Sequence, residues 1–314
     1  MTSKEAFRRL FLERTGKNLY TDRPLAELSS FRIGGPADLF FEAENTEELR
    51  LAVRAAAEAG VPFYVIGGGY NVLFSDAGYR GLIVKNAGQA VRENRGRLVA
   101  ASGTSLGALL QTALARSLRG LEFLAGIPGT VGGAVFGNAG AFGGCIGDRL
   151  DEALVLDMAG RLRETALGRE ELGFGYRHSR LKETRGLILE AAFIVEPGGR
   201  KESETLVRDY LERRKAKHPP WGTACAGSYF KNPRLPDGRR VAAGGLLEKV
   251  GAKGLAVGGA SVYEGHANFI INRGGATSAD VLALAAELKK RVLEHFGVSL
   301  EEEVIHVRED ASML

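Results

Sequence analysis

VPFYVIGGG (61–69) reads as an apolar strand that runs straight into three glycines. Six apolar and aromatic residues in succession suit a strand buried on both faces. The glycines then matter for a physical reason. Successive backbone N–H groups can converge on an anion only where no Cβ obstructs them and φ is free. Such a concavity suits a pyrophosphate, although a lone Gly67-Gly68-Gly69 would equally make a tight strand exit. A second cluster, GIPGTVGGAVFGNAGAFGGCIG (126–147), shifts the balance. Within it, Gly126-Ile127-Pro128-Gly129-Thr130-Val131-Gly132-Gly133 sets a proline turn between glycines. Two separated glycine-rich turns, each near strands, suit a long ligand held along its backbone. The chain holds 43 glycines in 314 residues, roughly twice the usual share.

Helix and strand signals alternate on either side of these turns. Asn45 and Glu48 look like a capping box. Leu49, Ala52, Val53 and Ala56 then form a helical apolar stripe that Gly60 ends. GLIVKN (81–86) and residues 97–102 read as strands, and Thr104 to Leu118 as a helix. Strands return between 150 and 196, with ALVLDM and GLILEAAFIV. Residues 201–217 read as a charged amphipathic helix. HPPWG (218–222) is a breaker cluster suited to a hinge. A long helix follows from about Ser278 to Phe296, with Val281, Leu284, Ala285, Leu288 and Val292 on one face, and EEVIHV closes as a strand. The reading is α+β, with an N-terminal part and a smaller C-terminal domain from about 218.

Composition excludes several classes. Apolar residues are 45% and charged residues 25%, ordinary for a globular protein. No run approaches the roughly 18 apolar residues of a membrane span, and no export signal is read at the N-terminus. A net charge of +4 without a basic, aromatic-interleaved tract does not point to nucleic acid. Cys145 and Cys225 are too few for a disulfide framework and form no C-x-x-C pair, so they read as small buried residues of a reducing compartment. His178, His218, His266, His295 and His306 share no metal-ligand spacing. GGGYNV (67–72) lacks the third glycine of the dinucleotide fingerprint, no P-loop occurs, and AGSYF lacks the second glycine of a hydrolase elbow. Dinucleotide binding outside those motifs leaves the other flavin-binding architectures. Four polar groups stand among small residues where a ligand could approach: Arg32, Arg177, Ser228 and Glu303. Taken singly, Arg32 reads equally as a surface arginine, while Arg177, Ser228 and Glu303 read more simply as a surface ion pair, a turn serine and a solvated glutamate.

Together, seven stretches change that reading. FRIGGPAD (31–38), VIGGGYNVL (65–73), AGIPGTVGGAVFGNAGAFG (125–143), YRHS (176–179), AGSYFKNP (226–233), GGASVYEGHANFIIN (258–272) and LEEEV (300–304) occur in this order. Across about residues 20–305 the ordered set resembles the UDP-N-acetylenolpyruvoylglucosamine reductase (UDP-N-acetylmuramate dehydrogenase) family, in its shorter branch. The resemblance implies two N-terminal subdomains that hold FAD in the vanillyl-alcohol-oxidase manner and a C-terminal α+β substrate domain. The implied division is a helical segment over 1–20, FAD-binding subdomains over 21–86 and 87–217, and the substrate domain over 218–314. Gly67, Gly68, Gly69, Tyr70 and Asn71, with Gly126, Ile127, Pro128, Gly129, Thr130 and Gly133, fall where the family cradles FAD. Tyr70 stands where the family usually has serine, Ala224 and Cys225 replace a common Pro-Ser, and Glu302 replaces the proline of E-P-E-V.

The implied activity is NADPH-driven reduction of UDP-N-acetylglucosamine enolpyruvate to UDP-N-acetylmuramate in peptidoglycan synthesis. Hydride passes from FAD N5 to C3 and a proton goes to C2, with NADPH as co-substrate. By resemblance, Ser228 matches the proton donor, Arg177 neutralises the developing enolate, and Glu303 shares that stabilisation. Tyr176, Lys217, Asn232 and Lys253 match substrate-binding positions. The same resemblance implies a cytoplasmic monomer with no metal, nucleic-acid or membrane partner. A flavin-dependent oxidase of the same FAD-binding type, acting on another alcohol or sugar, is the alternative enzyme. A dead-site nucleotide-binding or scaffold protein is the non-catalytic one.

Overall fold

The computed structural model describes residues 3–158, 162–235 and 237–310. The chain divides into two compact units, neither continuous in sequence. The first comprises residues up to Leu19, Phe40–Gly68 and Ile83–Arg214. The second comprises Tyr20–Leu39, Gly69–Leu82 and the residues from Lys215 onward. The expected subdomain 21–86 is thus shared out, and segments 20–39 and 69–82 lie with the C-terminal residues. Packing gives the reason: Phe31, Ile33 and Leu73 are buried in one apolar cluster with Tyr229, Leu284 and Leu288.

The first unit is built on a five-stranded antiparallel sheet. Its order is Glu164–Gly168, Leu150–Leu156, Leu187–Ile194, Arg97–Ala101 and Val91–Asn94. Its core joins Leu98, Ala100, Ala191 and Phe193 of the sheet to Leu106, Leu109 and Leu110 of the helix Leu106–Ala115 and to Val131 and Val135 of the helix Val131–Gly137. The helix expected over 104–118 is shorter than read. Ser117 adopts φ +55, and Leu118–Arg119 pairs as a strand with Glu196–Pro197. An L-residue in the left-handed region cannot continue a helix.

The helix Thr46–Glu58 buries Leu49, Ala52, Val53 and Ala56, the stripe read from spacing. Asn45 caps it by accepting from Glu48 N–H at 2.9 Å. The expected capping box is only half formed, because Glu48 reaches back to Glu44 N–H at 2.9 Å instead of to Asn45 N–H. The strand Phe63–Ile66 ends the sheet order Tyr20–Pro24, Pro36–Ala43, Tyr79–Asn86, Phe63–Ile66. As an edge strand it is half-buried, not buried as expected. Cys145 and Cys225 are likewise half-buried, and both are free thiols.

In the second unit, the helix Ser278–Phe296 packs with a small antiparallel sheet of Ala256–Val257, Ala260–Val262 and Ile270–Asn272. Val281, Leu284, Ala285, Leu288 and Val292 are its buried face, as spacing predicts. Thr277 and Asp280 form its capping box, and Gly297 ends it at φ +64. Asp76 adds a second cap, accepting from Ser278 N–H at 2.8 Å and Ser278 Oγ–H at 2.7 Å. Ile305–Val307 pairs in parallel with Val72–Phe74. No helix among the described residues is long and apolar enough to cross a membrane.

Candidate active site

The two glycine-rich turns meet inside the first unit. A Cβ on Gly67 would stand 2.3 Å from Oγ1 of Thr130, far inside van der Waals contact, so glycine alone lets one turn lie against the other. Thr130 caps the helix Val131–Gly137, its hydroxyl accepting from Gly133 N–H at 3.4 Å. Gly129 O accepts from Leu106 N–H at 3.0 Å, and Ile127 N–H donates to Leu124 O at 3.0 Å. The turn from Gly126 to Thr130 is thereby fixed at both ends, with Gly68 and Pro128 exposed.

Gly69 belongs to the second unit, where it adopts φ +68 and a Cβ would stand 1.9 Å from Leu28 O. Its carbonyl accepts from Ser30 N–H at 3.0 Å. Tyr70 and Asn71 are exposed. Arg32, which charge alone would let pair with a phosphate, donates from Nη2 to Gly222 O at 3.2 Å.

Arg177 stands in the first unit on a tight turn closed by Gly175 and His178. Its φ of +55 is left-handed, a conformation that costs about 1–3 kcal/mol and persists only where the surroundings over-determine it. Here they do. Arg177 Nη1 donates to Gly140 O at 3.1 Å, and Lys182 Nζ donates to Arg177 O at 2.8 Å. Asn138 ties the same loops together, donating from Nδ2 to Gly175 O at 2.8 Å and accepting from Gly147 N–H at 2.9 Å. Ser179, fully buried, donates to Phe136 O at 2.7 Å. The guanidinium lies 5.5 Å from the Tyr176 ring centre, within cation–π reach.

Arg214 was not visible in the sequence reading. It donates from Nε to Ala125 O at 2.9 Å and lies 5.2 Å from the Phe142 ring centre. Phe142 in turn stacks on Tyr210 at 4.0 Å. Burial, and then the positive charge of Arg177, hold Arg214 below the ordinary arginine range. Two guanidiniums that feel each other in one unit make a local field suited to an anion. No sequence motif joined them, because Arg177 stands on a turn and Arg214 near the end of the helix Arg200–Lys215, well apart in the chain.

Ser228 and Glu303 are both in the second unit, on neighbouring backbone segments. Glu303 N–H donates to Tyr229 O at 2.8 Å, Lys231 N–H donates to Glu301 O at 2.8 Å, and Phe230 bridges Glu302. On its other side the Glu303 carbonyl accepts from Asn71 Nδ2 at 3.1 Å, and Ile305 N–H donates to Asn71 O at 3.0 Å. Glu303 is half-buried, not part of a solvated face. Glu302, in the position the family gives to proline, forms an ion pair with Lys289 at 2.6 Å. Ahead of Ser228, Cys225 is held by Ser30, whose Oγ–H donates to Cys225 O at 2.7 Å. Asn272 N–H donates to Ala224 O at 2.8 Å.

Lys217 and Lys253, the expected substrate-binding cations, lie in the same unit as His266. Burial first, then the charges of Lys217 and Lys253, hold this imidazole below the ordinary histidine range; Glu248 and a backbone hydrogen bond oppose them. Lys253 also forms an ion pair with Glu248. Asn232 accepts at Oδ1 from Ala243 N–H at 3.0 Å, capping the helix Ala243–Lys249. Among the described residues no group of three His, Cys, Asp or Glu is placed to hold a metal.

The chain is similar to known proteins. Residues 219–307 match the C-terminal domain of UDP-N-acetylenolpyruvoylglucosamine reductase, and residues 37–166 match an FAD binding domain. A UDP-N-acetylenolpyruvoylglucosamine reductase of Geobacter metallireducens is 41% identical over 308 residues, covering 98% of this chain and 99% of that one. Its counterpart in Geobacter sulfurreducens is 42% identical over 286 residues, covering 90% and 92%. The crystal structure of UDP-N-acetylenolpyruvylglucosamine reductase from Thermus caldophilus superposes with a TM-score of 0.75 at 32% identity, covering 92% of this chain and 99% of that one.

Proposed function

The chain belongs to the UDP-N-acetylenolpyruvoylglucosamine reductase family, and on that premise we propose that it reduces UDP-N-acetylglucosamine enolpyruvate to UDP-N-acetylmuramate for peptidoglycan synthesis, with NADPH as reductant and FAD as cofactor. The residues of the first unit fit FAD. The turn of Gly67 and Gly68 lies against that of Gly126, Ile127, Pro128, Gly129, Thr130 and Gly133, so closely that a Cβ on Gly67 would strike Thr130, while nothing lies within 4 Å of where a Cβ on Gly129 would be; a pyrophosphate needs open backbone of this kind. Gly69, Tyr70 and Asn71 extend the same motif. Held there, FAD would supply the hydride-transfer chemistry between NADPH and the enolpyruvyl group.

The chain's own side chains handle charge and proton. Arg177 cannot lose its proton, so it neutralises the negative charge that builds on the enolpyruvyl group. Ser228 delivers its hydroxyl proton to C2. A serine is a poor acid at neutral pH and succeeds only against a strongly basic carbanion, with the resulting alkoxide quickly reprotonated. Glu303 shares the stabilisation. Lys217, Lys253, Asn232 and Tyr176 hold the UDP-sugar, the lysines as point charges for the diphosphate. A cytoplasmic monomer with two free thiols completes the reading.

The observation that carries this reading is the hydrogen bond from Glu303 N–H to Tyr229 O. It sets the carboxyl-bearing segment beside the serine-bearing one within the domain that matches the family. A flavin oxidase of another alcohol or sugar has no comparable support. The test is a visible spectrum of the purified protein, recorded before anaerobic NADPH, after it, and after the enolpyruvyl UDP-sugar. Yellow absorbance that bleaches and then returns is expected. A colourless protein, or a reduced flavin that only oxygen restores, would overturn the reading.

A further inference from the structure

We propose that Asn268 is the positioning residue that sets Ser228 for proton delivery, an inference that rests on the reductase reading above. Asn268 is 4% exposed. Its Oδ1 accepts from Phe230 N–H at 2.9 Å, and its Nδ2 donates to Phe230 O at 2.9 Å. Its own carbonyl accepts from Tyr229 N–H at 2.8 Å. The fourth main-chain group of this dipeptide, Tyr229 O, accepts from Glu303 N–H. Both residues after Ser228 therefore have every backbone polar group bound, three of the four by Asn268. A single side-chain amide does here what a neighbouring strand would do.

The other side of Ser228 is different. Gly227 adopts φ +75, and nothing lies within 4 Å of where its Cβ would be. That glycine serves a backbone turn, not a close approach, so Ser228 follows a permissive pivot and precedes a clamped dipeptide. Its placement is thus fixed from the C-terminal side. Only a carboxamide offers donor and acceptor together at this reach: a carboxylate only accepts, and an alanine does neither. His266 in turn fixes the clamp's own backbone, its Nδ1 accepting from Asn268 N–H at 3.2 Å. The imidazole that feels Lys217 and Lys253 is thus one hydrogen bond from the group that holds the serine segment.

The test compares FAD-loaded parent, Asn268→Ala and Asn268→Asp enzymes by anaerobic stopped flow and by amide hydrogen exchange. A misplacement of about 1 Å costs roughly a hundredfold in rate. In Asn268→Ala, reoxidation by the enolpyruvyl UDP-sugar is expected to slow about 10- to 100-fold. Bleaching by NADPH and KM for the UDP-sugar are expected to stay at parental values. Exchange over peptide 228–231 is expected to rise locally. Asn268→Asp keeps the shape and the acceptor but loses the donor, and is expected to fall between the two. Should the alanine variant fail to fold, the aspartate variant is read by the same criteria; failure of both would overturn the proposal in favour of a purely structural role. Parental reoxidation in Asn268→Ala, or equal loss in both half-reactions, would also overturn it while leaving the functional reading intact. A parent enzyme whose reduced flavin the substrate cannot reoxidise would overturn both.

Discussion

At single residues, the chemistry divides by half-reaction. Removing a general acid costs about 10²–10⁴ in rate, and the proposed mechanism needs Ser228 only where a proton reaches C2. Ser228→Ala is therefore expected to keep flavin reduction by NADPH and to lose turnover of the enolpyruvyl substrate by that factor, measured by stopped flow; equal loss in both halves would remove the assigned role. Gly67→Ala would force a methyl to within 2.3 Å of Thr130 Oγ1, parting the two turns. It is expected to purify with several-fold less flavin per protein, read from the ratio of visible to ultraviolet absorbance. Ser228, Glu303 and Arg177 were proposed from the sequence because each sits in a short motif of distinctive small neighbours. Asn268 was not, although it stands in one of the quoted motifs. The role proposed for it rests on bonds to a segment 38 residues away, and nothing in the spacing of EGHANFIIN announces them. Arg214 was hidden for the same reason.

Among elements, legibility follows length and redundancy of signal. The helix Ser278–Phe296 was read with its buried face because five apolar positions recur at helical spacing, and in the structure a capping box and a terminal glycine close its ends. Leu288→Ala is expected to destabilise by about 2–5 kcal/mol, and Thr277→Ala by about 0.5–2 kcal/mol. Both would appear as lower midpoints in urea denaturation; an unchanged midpoint for Leu288→Ala would contradict the packing described. Short elements carried one signal each and were read less well. Leu118 continued an apolar stripe by spacing, yet the left-handed turn at Ser117 sends it into a strand. The strand Phe63–Ile66 has the composition of a buried strand but lies at a sheet edge, and edges are set by topology, which local sequence does not encode.

For the whole molecule, the α+β class was legible, but the assignment of segments to units was not. Each unit is assembled from stretches distant in the chain, and only tertiary packing decides that. Stability should depend on pH through His266 and His306, both held below the ordinary value of 6.5 by burial first. At His306, Arg308 adds to burial while Glu302 and Asp76 oppose it. The fold favours both neutral imidazoles, so their contribution is intact above 6.5 and is lost as pH falls toward the depressed native values. The urea midpoint is expected to fall as pH drops from about 7 to about 5, before most carboxylates titrate, with a shallower fall in His306→Gln. An identical slope in His266→Gln/His306→Gln would remove these groups as the cause. The parallel pairing of Val72–Phe74 with Ile305–Val307 also sets a schedule for biosynthesis. Asn71 and Glu303 are 232 positions apart, an interval a ribosome needs roughly ten to fifty seconds to traverse. Through that time the nascent second unit lacks its closing strand, leaving an unpaired edge for a chaperone to shield, and a message cut before codon 305 would encode a protein unable to complete that half.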